Sequence, residues 1–274
     1  MTESTADLCH KYPGLSAQVL EFGSGPCQLN DPWFIDVDDC GDLSVADTYN
    51  HRVQIINTTA YEATCSIEGG FHRPRSAKFT RTAGLGFLIV ADTGNRRVLI
   101  LSRPSEAESA QIDCEFKGDH LREPTDTLID HLTGHIYVTD TSNNAVFMIG
   151  ERVTPFQYLN QPMGIAMDDK GRMFVTETGD ACVKVFDRSG VQIGRLDGGP
   201  CHLNRPKGIC IDRRGFVCVA DELNDRIVKF SPDLRMTSVV VRELSRPKGV
   251  AVNRENQLFA TSADRSNVIK LFNI

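Results

Sequence analysis

The chain has 274 residues, of which 41% are apolar and 24% charged, and carries a formal charge of −6. That balance is ordinary for a globular protein and excludes collagen-like or largely disordered readings. No run reaches the ~18 consecutive apolar residues of a membrane-spanning helix, and residues 1–20 are too polar for a secretory signal, so no membrane partner is expected.

In chain order, residues 1–14 lie outside any pattern and are expected to be a loose arm, with one domain over 15–274. Gln18-Val19-Leu20-Glu21-Phe22 follows as a short isolated strand. A unit then occurs six times, each opening with an apolar residue three before a proline: Leu29/Pro32, Phe71/Pro74, Leu121/Pro124, Leu159/Pro162, Leu203/Pro206 and Leu244/Pro247. Phe71 thereby aligns with leucines and is read as core. After each proline comes a short apolar run, then a turn, then a second run ending in Asp47, Asp92, Asp140, Glu177 or Asp221, with Ser262 in that slot of the last unit. Six positions further a third run begins, at Val53, Val98, Val146, Val183, Ile227 and Val268. These runs are short, β-branched and bounded by turn residues, so they predict strands. Three strands and a weaker fourth, such as Gln192 to Leu196, make one antiparallel blade per unit. The expectation is an all-β, six-bladed propeller of four-stranded blades. The last unit is one strand short, and residues 17–23, with the apolar run 18–22 at their centre, are expected to close the ring.

The segments Ala46-Asp47-Thr48-Tyr49-Asn50-His51-Arg52-Val53, Ala91-Asp92-Thr93-Gly94-Asn95-Arg96-Arg97-Val98 and Ala220-Asp221-Glu222-Leu223-Asn224-Asp225-Arg226-Ile227 resemble the NHL repeat. So do Pro162-Met163-Gly164, Pro206-Lys207-Gly208 and Pro247-Lys248-Gly249. Units three, four and six depart from the pattern, with Ala145, Cys182 and Asn267 where it has Arg. The repeated Asp and Arg recur in most blades, so they are read as structural: the Asp accepts hydrogen bonds from the turn it starts, and the Arg pairs with it.

The blades differ around the prolines. The residues before them are Asp31, Arg73, Glu123, Gln161, Arg205 and Arg246; those after them are Trp33, Arg75, Thr125, Met163, Lys207 and Lys248. In the family's propeller these loops share one face with the loops holding Tyr49, His51, Arg96 and Arg265. The basic positions cluster in units two, five and six, an arc to which unit one adds Trp33 and Tyr49. Such an arc suits single-stranded RNA, because Lys and Arg neutralise phosphates and bases stack on aromatic rings. The expected contacts are Arg73, Arg75, Arg205, Lys207, Arg246 and Lys248 to phosphate, Trp33 and Tyr49 by stacking, and His51 and Arg96 beside them. Asn50 and Asn95 are candidates for base selectivity. The alternative for Trp33 is a plug in the channel mouth; the alternative for the face is a platform for a ubiquitin-ligase substrate or a translational repressor.

Resemblance to NHL propellers of the tripartite-motif class implies RNA reading, with uridine-rich targets, inside a larger post-transcriptional regulator. Any ubiquitin-ligase activity would belong to a RING-containing parent. The propeller itself is expected to be a monomer and not an enzyme. The nine cysteines form no C-x2-C pair and the seven histidines share no repeat position, so no metal site, cofactor or disulfide framework is expected and the setting is cytoplasmic. Asp36 and Asp126 are read as structural or water-bound groups near the axis. No nucleophile motif supports Cys182 or Cys218.

Overall fold

The second run of each repeat is buried nearly end to end, as in Leu88–Asp92 and Val217–Asp221. Alternate residues of a strand point to opposite faces, so such a run needs apolar cover on both sides. Neighbouring blades supply it. One cluster joins Val53, Ile67 and Phe71 to Ala77, Leu88 and Val90 of the next blade. Another joins Leu29, Ile35 and Val45 to Ala251 and Phe259.

The computed structural model describes residues 15–18, 21–26, 28–60, 62–80, 87–102, 110–150, 153–199, 202–262 and 269–273. Blade one consists of Pro32–Val37, Asp42–Asp47, Arg52–Asn57 and Glu62–Ile67, counted outward from the axis. Blades two to five span 76–117, 124–158, 162–196 and 206–241 in the same way. The innermost strands touch in order around the axis, and Pro247–Val252 returns to Pro32–Val37, so the ring closes. No helix among the described residues is long and apolar enough to cross a membrane.

The expectation of six blades needs correction. Five blades are folded from four consecutive strands each. The strands left over, Pro247–Val252, Gln257–Ser262 and Ile269–Asn273, form a composite sheet whose fourth member is Leu15–Gln18. The closing strand therefore overlaps the expected segment 17–23 only at Ala17 and Gln18. Leu15 pairs with Phe272 and Gln18 with Lys270, whereas Glu21–Phe22 runs parallel to Gln28–Leu29. An outermost strand is held by its backbone ladder, so the apolar pattern of 18–22 was a poor guide to register.

The Pro-x-Gly openings have a steric cause. A Cβ on Gly208 would stand 2.4 Å from the Lys248 carbonyl oxygen, and one on Gly249 would stand 2.4 Å from that of Trp33. Inner strands of adjacent sheets approach too closely there for any side chain. The expectation of an arm over 1–14 lies outside the described residues.

Candidate nucleic-acid interface

The repeated polar residues build the face before any ligand is considered. Asp47 Oδ1 accepts the Asn30 N–H (2.7 Å), while its Oδ2 accepts Asn50 Nδ2 (2.9 Å) and Arg52 Nε (2.8 Å). Asp92 repeats this set with His72, Asn95 and Arg97, and Asp221 repeats it with Asn204, Asn224 and Arg226. Each set clamps the turn after the second strand to the loop entering the same blade, as expected for the Asp and Arg. The asparagines are consumed by it: Asn50 also donates to Gly23 O and Asn95 to Gly70 O. Both amide donors of Asn50 and of Asn95 are thus engaged within the fold. The clamped turn ends in a left-handed residue, His51 (φ 55°) or Arg96 (φ 54°), whose side chain is exposed.

Next to the axis, the residues after the prolines converge. Around the half-buried Trp33 ring, the Arg75 guanidinium carbon lies 4.1 Å from the centroid, Lys207 Nζ 4.6 Å and Lys248 Nζ 5.0 Å. The indole N–H donates to Asp31 (3.0 Å). Each cation also has an acid: Arg75 pairs with Glu123 (2.5 Å), Lys207 with Glu222 (2.9 Å) and Lys248 with Asp31. Burial pulls the Arg75 guanidinium below its usual range, with Glu123 opposing. Burial pushes the Glu123 carboxyl up, but Ser142 and Arg75 together outweigh it and hold the group low. Lys207 falls to about 8 because burial outweighs the pull of Glu222. These three cations thus belong to a ring of internal ion pairs at the channel mouth.

The residues before the prolines behave differently. Arg73, Arg205 and Arg246 have positive φ (53°, 53° and 44°) and exposed side chains on the rim. Arg73 lies over the Tyr49 ring (4.9 Å to the centroid) and donates to its hydroxyl (2.9 Å). The Arg73 N–H donates to His51 Nδ1 (3.0 Å), and the His51 and His72 rings stack with centroids 5.3 Å apart. Tyr49, His51, His72 and Arg73 therefore make one exposed aromatic and cationic patch over blades one and two, with Arg96 exposed at the turn of blade two. Arg265 lies outside the described residues.

Two residues escaped the sequence reading. His72 shares its repeat slot with no other histidine. Glu222 follows the strand-end Asp221 where the other blades have threonine. Thr48, Thr93, Thr141 and Thr178 each donate to the carbonyl of the next blade's proline, at 2.7–3.1 Å. A run of four threonines broken by one glutamate was the available signal.

Lower in the channel, Asp126 accepts from the Ser76 hydroxyl (2.6 Å), Thr127 N–H (2.9 Å) and Ile165 N–H (3.0 Å) and sits 3.4 Å from Lys78 Nζ. Asp36 accepts from Phe79 N–H (3.0 Å). Burial works against the Lys78 ammonium, but Asp126 and Asp36 outweigh it and raise it above its ordinary value. Both carboxylates tie blades together, as their structural reading required. Burial, reinforced by Glu177, pushes the Cys182 thiol up to about 12, which leaves little thiolate near neutral pH. Among the described residues no group of three His, Cys, Asp or Glu is placed to hold a metal ion.

Fold and repeat chemistry together define a β-propeller of four-stranded antiparallel blades. Residues 29–56 match the NHL repeat. Over 124 residues the chain is 29% identical to protein brain tumor of Drosophila melanogaster, covering 41% of this chain and 12% of that protein. The chain thus spans about an eighth of the length of that curated relative. Among solved structures it is similar to a gluconolactonase from Xanthomonas campestris (TM-score 0.71, 15% identity, 90% of this chain and 86% of that one). A luciferin-regenerating enzyme (0.70, 16%, 90% and 92%) and a streptogramin B lyase (0.62, 13%, 96% and 86%) share the architecture. At such identities the likeness is one of fold alone. It nonetheless corrects the expectation that the domain is no enzyme: the same architecture carries catalysis in those proteins, so the propeller gives no ground for excluding it.

Proposed function

We propose that the chain binds single-stranded RNA on the face around Trp33 and selects targets for a larger cytoplasmic post-transcriptional regulator of the tripartite-motif kind. The observation that carries this reading is the rim. A chain of net charge −6 gathers Arg73, Arg96, Arg205 and Arg246 on one face beside exposed Tyr49, His51 and His72. Rim cations neutralise phosphates, while the blade-one and blade-two rings offer stacking surface. Arg75, Lys207, Lys248 and Trp33, expected from sequence to touch the ligand directly, form the floor of the face in this proposal. Paired with Glu123, Glu222 and Asp31, the three cations shape the mouth beneath the ligand around Trp33, and direct phosphate contact passes to the rim.

The test is selection from a random RNA library at physiological salt. Enrichment of a short single-stranded motif supports the reading. Enrichment of no motif, with binding to an acidic polypeptide instead, would transfer the face to a protein partner.

A further inference from the structure

Glu222 is fully buried, yet it stands at the edge of the proposed RNA face. Its Oε1 accepts from Lys207 Nζ (2.9 Å) and from an Arg246 terminal nitrogen (3.1 Å). Its Oε2 accepts no hydrogen bond from the described residues; the Arg205 Nε atom is 3.8 Å away. Three cations from two adjoining rim loops and an inner strand therefore face one carboxylate. The arrangement is local to blade five, since the other blades place a threonine there and use it to bond the next blade.

We propose that Glu222 is a specificity-determining residue of this face, an internal anion that competes with ligand phosphates for Arg205 and Arg246. The inference rests on the RNA reading above. Its physical basis is an asymmetry of freedom. Glu222 is fixed in the interior, whereas the Arg205 and Arg246 side chains are 45% and 54% exposed and extend from left-handed backbone at the rim. They can turn outward to a phosphodiester at the cost of the carboxylate contact. Only a ligand that offers phosphates to both arginines at once compensates that loss. Glu222 thus weakens indiscriminate polyanion binding and leaves well-placed backbones favoured. Lys207 does not follow the arginines outward, because it is buried under the Trp33 ring.

The Glu222→Thr variant restores the residue that four blades already use, and Glu222→Gln keeps the volume without the charge. Binding of a labelled oligouridylate of about twenty nucleotides is measured by anisotropy from low to physiological salt, beside thermal melting of each protein. Freeing two arginines should tighten binding about tenfold at physiological salt and steepen the slope of log K against log salt by about 1.4, at ~0.7 per phosphate on a single strand. Arg205→Ala placed on Glu222→Thr should remove half of that gain. A folded variant with the wild-type slope, in a protein that does bind the RNA, overturns the role of Glu222 and leaves the RNA reading intact. Failure of wild type and both folded variants to bind at low salt overturns the RNA reading itself, and this inference with it.

Discussion

Trp33 shows how one residue can look like a ligand-binding ring and serve the protein first. Its slot holds Arg75 and Lys207 in blades two and five and Lys248 in the composite sheet, so a stacking role is the natural reading from sequence. In the folded chain Arg75, Lys207 and Lys248 crowd within 5.0 Å of its centroid. Bringing three like charges together near the axis costs Coulomb energy, which the acids Glu123, Glu222 and Asp31 offset in pairs. The indole face adds a further ~0.5–2 kcal/mol for each desolvated cation. Trp33→Ala should therefore lower unfolding free energy by about 3 kcal/mol in urea titration, while Trp33→Phe, which keeps a π face, loses roughly half of that. An alanine variant as stable as the parent but defective in RNA binding would return Trp33 to the stacking role. The asparagines teach the converse lesson. Asn50 and Asn95 look available for base reading, but their amide donors are committed to strand-end carboxylates and loop carbonyls.

At the scale of elements, most strands were legible because burial on both faces writes itself into the sequence as repeated β-branched runs of fixed spacing. The outermost closing strand was not. Leu15–Gln18 joins the composite sheet through backbone pairing with Ile269–Asn273, a constraint that leaves little trace in side-chain pattern. Deleting residues 1–18 exposes the edge of Ile269–Asn273 and should lower the melting temperature and promote association between chains. A deletion that melts with the full chain and stays monodisperse would show that the ring closes without this strand. The rim charges were legible in type but not in pairing. Arg75 meets Glu123 across 48 residues and Lys248 meets Asp31 across 217, and only the closed ring brings such partners together. Sequence spacing alone therefore could not show which cations are buried beside their acids and which stay exposed at the rim.

For the whole molecule, the decisive feature is the separation of its cations into an inner set and an outer set. Inner Arg75, Lys207 and Lys248 are paired with acids around Trp33; outer Arg73, Arg205 and Arg246 stand exposed on left-handed backbone. If the face reads RNA, the outer set supplies counterion release and the inner set, paired with its acids, supplies shape. The most direct test is the salt dependence of binding to an RNA selected by the domain, for wild type and for Arg73→Ala/Arg205→Ala/Arg246→Ala. The account predicts that the folded triple variant binds more weakly and that its slope of log K against log salt is shallower by about 2, at ~0.7 per lost phosphate contact. A triple variant that binds the selected RNA with the wild-type affinity and slope would contradict it.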